Sequence, residues 1–116
     1  MIKAVGADLV ELAKIKKIGI ERFAKKVLSD AELKEFNLIS NEARKLTYLG
    51  GRFASKEALF KCFKSGDKTA NFKDFTILNN ANGAPYVISK FLNDMKCHIT
   101  ITHTESLAMA FVILEI

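Results

Sequence analysis

Cysteine is scarce in this chain. Only Cys62 and Cys97 occur among 116 residues, both in apolar surroundings and without C-x-x-C spacing, which excludes a disulfide framework. A zinc site assembled from Cys97, His98 and His103 would lack a fourth ligand and the right spacing. Long apolar runs are missing too. The longest, residues 107–114, falls far short of the roughly 20 residues that span a bilayer. Residues 1–8 lack the apolar stretch of a secretory signal. The expectation is a cytoplasmic protein with reduced thiols and no membrane association. Internal repeats, low-complexity tracts and proline-rich linkers are absent. So are the G-x-x-x-x-G-K-S/T, G-x-G-x-x-G and G-x-S-x-G patterns, which leaves P-loop, dinucleotide-binding and hydrolase readings without a motif.

Apolar residues make up 49% of the chain, enough to build a core and to argue against global disorder. The length fits one compact domain covering residues 1–116. Lys plus Arg total 18 and Asp plus Glu 13, a formal charge of +5. The excess is concentrated. Residues 13–28 hold Lys14, Lys16, Lys17, Arg22, Lys25 and Lys26 against Glu21 alone, so this window by itself nets +5. Ile15, Ile18, Phe23 and Val27 interleave with the charges at roughly helical spacing. A basic helix with an apolar seam suits an acidic, helical partner or a phosphate backbone; a solvated lysine face is the plainer alternative.

Periodicity predicts a strand over 2–12, with Ala4, Gly6, Asp8 and Val10 on one face and Val5, Ala7 and Leu9 on the other. Two largely apolar faces imply a strand covered on both sides. Helix is expected over 13–27 with a break at Gly19, then a short helix from Ser29 to about 36 opened by a Ser29/Glu32 capping box. A long helix capped by Asn41 runs to about 64, with Gly66 as a stop. Its apolar stripe is Leu46, Leu49, Phe53, Phe60 and Phe63, interrupted by Lys56 and Glu57. Beyond it, strands are expected over 72–78, 86–88, 97–103 and 107–116, with turn chemistry over 79–85, a short helix over 89–95 and a terminal antiparallel hairpin. Helices first and strands later predict an α+β fold whose antiparallel sheet is covered by the long helix.

Asp8 and Glu57 each occupy a position where an apolar residue is expected. A buried carboxylate is costly unless paired or bound to metal. Two carboxylates beside water and phosphate oxygens suit Mg²⁺, which takes few protein ligands; ordinary salt bridges, such as Glu57 with Lys61, are the alternative. Arg52, Lys56 and Lys61 lie along the same helix and suit the holding of phosphate near a metal. His103, taken alone, reads as a hydrogen-bonded structural histidine.

These features converge on a resemblance. Val5-Gly6-Ala7-Asp8-Leu9-Val10-Glu11-Leu12 resembles the N-terminal G-x-D-x-V-E-I motif of holo-acyl-carrier-protein synthases. Residues 52–61, with Arg52, Phe53, Ala54, Lys56, Glu57, Ala58 and Lys61, resemble the family's R-F-A-x-K-E-A-x-x-K helix. Asn82-Gly83-Ala84-Pro85 resembles its N-G-x-P turn, and Thr102-His103-Thr104 with Ala108, Ala110, Val112 and Glu115 its terminal S-H-T stretch. The four blocks occur in family order across nearly the whole chain. Two departures stand out: Lys14 where the family usually has arginine, which loses the bidentate fork, and Thr102 for serine.

The resemblance implies a stand-alone 4′-phosphopantetheinyl transferase that modifies a serine of apo acyl carrier protein from coenzyme A. It releases adenosine 3′,5′-bisphosphate and supports fatty acid biosynthesis. It implies Mg²⁺ on Asp8 and Glu57, with Lys61 as a further catalytic group and Glu57 as a base acting through water. Coenzyme contacts fall to Arg52, Lys56, Gly83, Pro85 and His103. The acidic carrier is met by Lys14, Lys17, Arg22, Phe23 and Lys25. A homotrimer with sites between subunits completes the expectation, with no nucleic-acid partner. The alternatives are a small basic nucleic-acid-binding module using the same basic helix, against which the mostly core-spaced Phe residues offer no stacking set, and an oligomerisation domain using the apolar C-terminal strand.

Overall fold

The computed structural model describes residues 1–63 and 71–116, so the expected stop at Gly66 lies outside the described residues. The order is β1 (Ile2–Glu11), α1 (Leu12–Ile18), α2 (Ile20–Val27), α3 (Asp30–Leu38), α4 (Glu42–Cys62), a 3-10 turn (Phe72–Asp74), β2 (Thr76–Asn79), β3 (Pro85–Ile88), a second 3-10 turn (Lys90–Leu92), β4 (Lys96–His103) and β5 (Leu107–Glu115). The fold is α+β, as the order of periodicities predicted. An antiparallel sheet of order β1-β5-β4 lies against α4, and β2 and β3 form a separate hairpin. No helix of the described residues is long and apolar enough to cross a membrane.

Small residues set how closely α4 lies on the sheet. Ala108 and Ala110 of β5 and Ala54 and Ala58 of α4 are fully buried, and Gly6 of β1 faces the same seam. A Cβ at Gly6 would collide with the Ala58 carbonyl oxygen, so only glycine lets the strand pass the helix here. The other side of α4 carries larger groups. Phe53 packs edge-on against Phe23 at 4.9 Å, and a chain of rings continues through Phe72, Phe60 and Phe75 at 5.3–5.7 Å. This is the stripe expected from sequence, but its Phe53, Phe60 and Phe63 are half-buried while Leu49, Ala54, Ala58 and Leu59 are sealed. A helix clasped on two sides has no single buried stripe.

Several boundaries differ for local reasons. The strand expected over 72–78 begins only at Thr76, because Asn71 and Asp74 close a reciprocal capping box around a 3-10 turn. The helix expected over 89–95 is one 3-10 turn capped by Ser89. Gly19, at φ 114°, divides α1 from α2. The Ser29–Glu32 capping box forms as read. The largest difference is at β1. Gly6 and Val10 face α4, but Val5 and Leu9 are 56% and 61% exposed, so this chain covers only one face of the strand.

Gly6→Ala is expected to lower stability by about 1–3 kcal/mol, the cost of overpacking a seam whose opposing atom is backbone. The denaturant midpoint should fall with an unchanged m-value.

Candidate active site

The seam at Gly6 also places the carboxylates. Two residues along the same face of β1, Asp8 arrives beside the last turns of α4, its side chain 19% exposed. Lys61 reaches across from α4 and donates to Asp8 Oδ1 at 3.1 Å and to the Ala7 carbonyl at 2.8 Å. The i, i+4 pairing of Glu57 with Lys61 is therefore replaced by an interelement pair. Glu57 is half-buried, and among the described residues no cation lies within salt-bridge distance of it. Burial, and then the charge of Asp8, push the Glu57 carboxyl above its usual range, partly offset by Lys61. Asp8 and Glu57 border a cavity of about 340 Å³ walled by Leu9, Ile15, Phe23 and Phe53, with Lys14 also on its lining.

Two carboxylates repelling one another, one of them without a cation, fit a hard divalent ion. Among the described residues no cluster of three or more His, Cys, Asp or Glu side chains could hold a metal. A pair of carboxylates is as many as Mg²⁺ usually takes from a protein, so Asp8 and Glu57 fit that ion in number and chemistry.

A second group of predicted residues gathers elsewhere. Arg52, Gly83, Pro85 and His103 line one hollow of about 190 Å³, together with Arg44 and Tyr48. Arg52 is 6% exposed. Its Nε donates to the Ile77 carbonyl at 3.2 Å, its Nη2 to Asn79 Oδ1 at 3.4 Å, and its guanidinium lies 4.2 Å over the Tyr48 ring. Gly83 closes the turn by donating to the Asn80 carbonyl at 2.9 Å. His103 is exposed at the end of β4, its Nδ1 3.3 Å from the Thr104 carbonyl oxygen. It also borders a neighbouring hollow of about 530 Å³ with Asn41, Arg44 and Thr104. Neither hollow includes Asp8, Glu57 or Lys61. Within one copy of the chain the carboxylates and the hollow at Arg52 and His103 are therefore separate.

The profile of the 4′-phosphopantetheinyl transferase superfamily matches residues 4–112. The chain is 62% identical over 115 residues to a holo-[acyl-carrier-protein] synthase of Acholeplasma laidlawii, covering 99% of this chain and 98% of that protein. It is 39% identical over 118 residues to the synthase of Bacillus subtilis, covering 99% and 97%. A crystal structure of the Bacillus anthracis synthase in complex with CoA (3′,5′-ADP) superposes with a TM-score of 0.90 at 31% identity, covering 99% of this chain and 97% of that one. The chain belongs to the 4′-phosphopantetheinyl transferase superfamily. It is an enzyme, a phosphopantetheinyl transferase of the holo-acyl-carrier-protein synthase type, and the resemblance drawn from four motifs holds along its whole length.

Two residues of this transferase do not stand where the sequence expectation put them. Lys56 is fully buried and points away from the carboxylates and from both hollows. Its Nζ donates to Glu32 Oε1 at 2.6 Å and to the Val27 carbonyl at 2.8 Å. Desolvation pushes its pKa down, opposed by Glu32. It has no free donor path to a phosphate. Phe23, expected to meet a partner, is 8% exposed and packs into the core against Phe53. The charges around it stand out as expected: Lys14, Lys17, Arg22 and Lys25 are all exposed on α1 and α2. Lys14 approaches Glu11 only at 4.0 Å, and Glu21 is taken up by Lys45 at 3.0 Å.

Sequence reasoning missed Arg44, Tyr48 and Asn79 beside the coenzyme-type residues, and Glu32 opposite Lys56. A signal for Glu32 existed. A lysine in the middle of a core-facing helix demands a buried anion, and the capping-box glutamate was a candidate.

Glu57 titrates above an ordinary carboxyl in the fold, so the fold prefers it protonated. Its ionisation costs stability that is intact below the ordinary carboxyl pKa and lost as pH rises through the raised value. Metal-free Glu57→Gln should therefore melt above the unsubstituted protein at about pH 8 and level with it near pH 4. Added Mg²⁺ should raise the melting temperature of the unsubstituted protein but not of the variant. Scanning calorimetry across pH with and without Mg²⁺ reads both.

Proposed function

We propose that this transferase moves 4′-phosphopantetheine from coenzyme A to a serine of an apo acyl carrier protein in the cytoplasm, with Mg²⁺ held by Asp8 and Glu57, and so supports fatty acid biosynthesis. The observation that carries the reading is the carboxylate pair at an apolar cavity, flanked by exposed basic helices, in a chain 62% identical to a holo-[acyl-carrier-protein] synthase. The walls formed by Leu9, Ile15 and Phe53 suit an uncharged arm, and Lys14, Lys17, Arg22 and Lys25 suit an acidic carrier.

In the reaction the serine Oγ of the carrier forms a bond to the phosphorus attached to pantetheine. The bond from that phosphorus to the bridging oxygen breaks, and adenosine 3′,5′-bisphosphate leaves with the electron pair. When bound, Mg²⁺ offsets the charge that grows on the pyrophosphate. Lys61, held beside Asp8, adds positive charge at the same place. The serine proton passes through a water to a carboxylate oxygen of Glu57.

Coenzyme A then spans two half-sites, Arg52, Gly83, Pro85 and His103 on one copy and Asp8, Glu57 and Lys61 on its neighbour, within a homotrimer. Two features support this. The half-sites do not share a hollow within one chain. The outer face of the sheet leaves Val5, Leu9, Met109 and Phe111 exposed, an apolar patch of the kind that marks an interface.

The test is intact-mass analysis of an apo acyl carrier protein incubated with the enzyme, coenzyme A and Mg²⁺, with a chelated control. The expected result is a gain of one phosphopantetheine in the first sample only, and a rate loss on the order of 10²–10³-fold in Asp8→Asn or Glu57→Gln. Retained transfer in both variants would remove the metal assignment; no transfer to any of several carriers would remove the function. Light scattering of Phe111→Glu should show a smaller species than the unsubstituted protein, with transfer lost alongside.

A further inference from the structure

Lys56 and Glu32 are both fully buried, yet neither is used by the reaction described above. The pair is not isolated. Glu32 Oε1 also accepts from the Ser29 amide at 2.9 Å, and Oε2 accepts from the Ile77 amide at 2.7 Å. Lys56 donates in addition to the carbonyl of Val27, the last residue of α2. One lysine of α4 therefore grips the α2–α3 junction from both sides, by the carbonyl that ends one helix and the glutamate of the box that opens the next.

Such a pair adds little net stability, since apolar side chains of equal volume serve as well or better. What it adds is direction. The helices it holds are short: α1 has 7 residues and α2 has 8, with Gly19 between them. Helices of this length have no stable position of their own in water and take it from tertiary anchors. Among polar anchors, α2 has the exposed Glu21–Lys45 contact near its start and the sealed Lys56–Val27 bond at its end. Lys56 is also the chain neighbour of Glu57.

We propose that the Lys56–Glu32 pair is a positioning element that fixes the basic face of α1 and α2, where the acidic acceptor protein docks, at a set distance from the Asp8–Glu57 carboxylates. This rests on the proposed transfer to a carrier protein. It predicts a defect specific to the acceptor. The coenzyme residues lie outside the α2–α3 junction, and the link from the junction to their hairpin, the Ile77 amide on Glu32, is kept by a glutamine there, whereas a carrier docked on a shifted α2 presents its serine off line. Misplacement by about 1 Å costs on the order of 10²-fold in rate.

The experiment measures transfer kinetics of the full chain with each substrate varied in turn, for the unsubstituted protein and for the double variant K56M/E32Q. That variant removes both charges while keeping an acceptor for the Ile77 amide. Circular dichroism and thermal melting check that it folds. The expected result is a carrier KM raised about tenfold or more and kcat/KM for carrier down on the order of 10²-fold, with the coenzyme A KM within about threefold of the unsubstituted value. Unchanged carrier kinetics in the folded variant would overturn the proposal. So would equal damage to both substrates, which marks general loosening of the fold. Should the double variant not fold, E32Q alone takes its place, with a carrier KM raised about threefold as the supporting result and an unchanged one as the refuting result. Absence of transfer by the unsubstituted protein would overturn the function itself, and the positioning role with it.

Discussion

The meeting of Asp8, Glu57 and Lys61 depends on one close approach, the passage of β1 over α4 at Gly6. The missing side chain lets the strand backbone rest against the Ala58 carbonyl. From there the two-residue repeat of the strand and the four-residue repeat of the helix deliver Asp8, Glu57 and Lys61 to one place. The site is thus a property of two rigid elements and not of a loop. The buried alanines of α4 and β5 continue the same close contact across the sheet. In this packing burial, and then the charge of Asp8, hold the Glu57 carboxyl above its usual range.

The second constraint runs along the other side of α4. There Arg52 and Lys56, one turn apart, reach into the fold rather than out of it. Arg52 takes the carbonyl of Ile77 and Glu32 takes its amide, so a single residue of β2 is held from both ends by groups anchored to α4 and α3. That hairpin carries the turn with Gly83 and Pro85. The carboxylates and the hollow at Arg52 are therefore indexed to the same helix from opposite faces.

Much of this was legible in the sequence. The α+β order, the break at Gly19, the Ser29–Glu32 box, the Asn41 cap and the terminal hairpin follow from local rules, and local rules act within a few residues. Asp8 and Glu57 stood out because charge had replaced expected apolar positions. Lys56 broke the same pattern for a different reason. A buried lysine and a lysine aimed at a phosphate look alike until the partner 24 residues away is known. Phe23 likewise sits on a basic helix, and spacing alone does not say whether an aromatic faces core or partner. The start of β2 and the exposure of Val5 and Leu9 were hidden because they depend on a capping turn and on which face of β1 the rest of the chain packs against.

The topology has a further cost in time. Among the described residues β1 pairs only with β5, with Gly6 opposite Val112 and Asp8 opposite Ala110. During synthesis at about 5–20 residues per second, the strand that carries Asp8 must wait for roughly a hundred further residues before it has anything to pair with. Until then α4 covers one of its faces and the edge that β5 takes stays open. A chain truncated within β5 would leave the strand that carries Asp8 with an unpaired edge, and β4 with it.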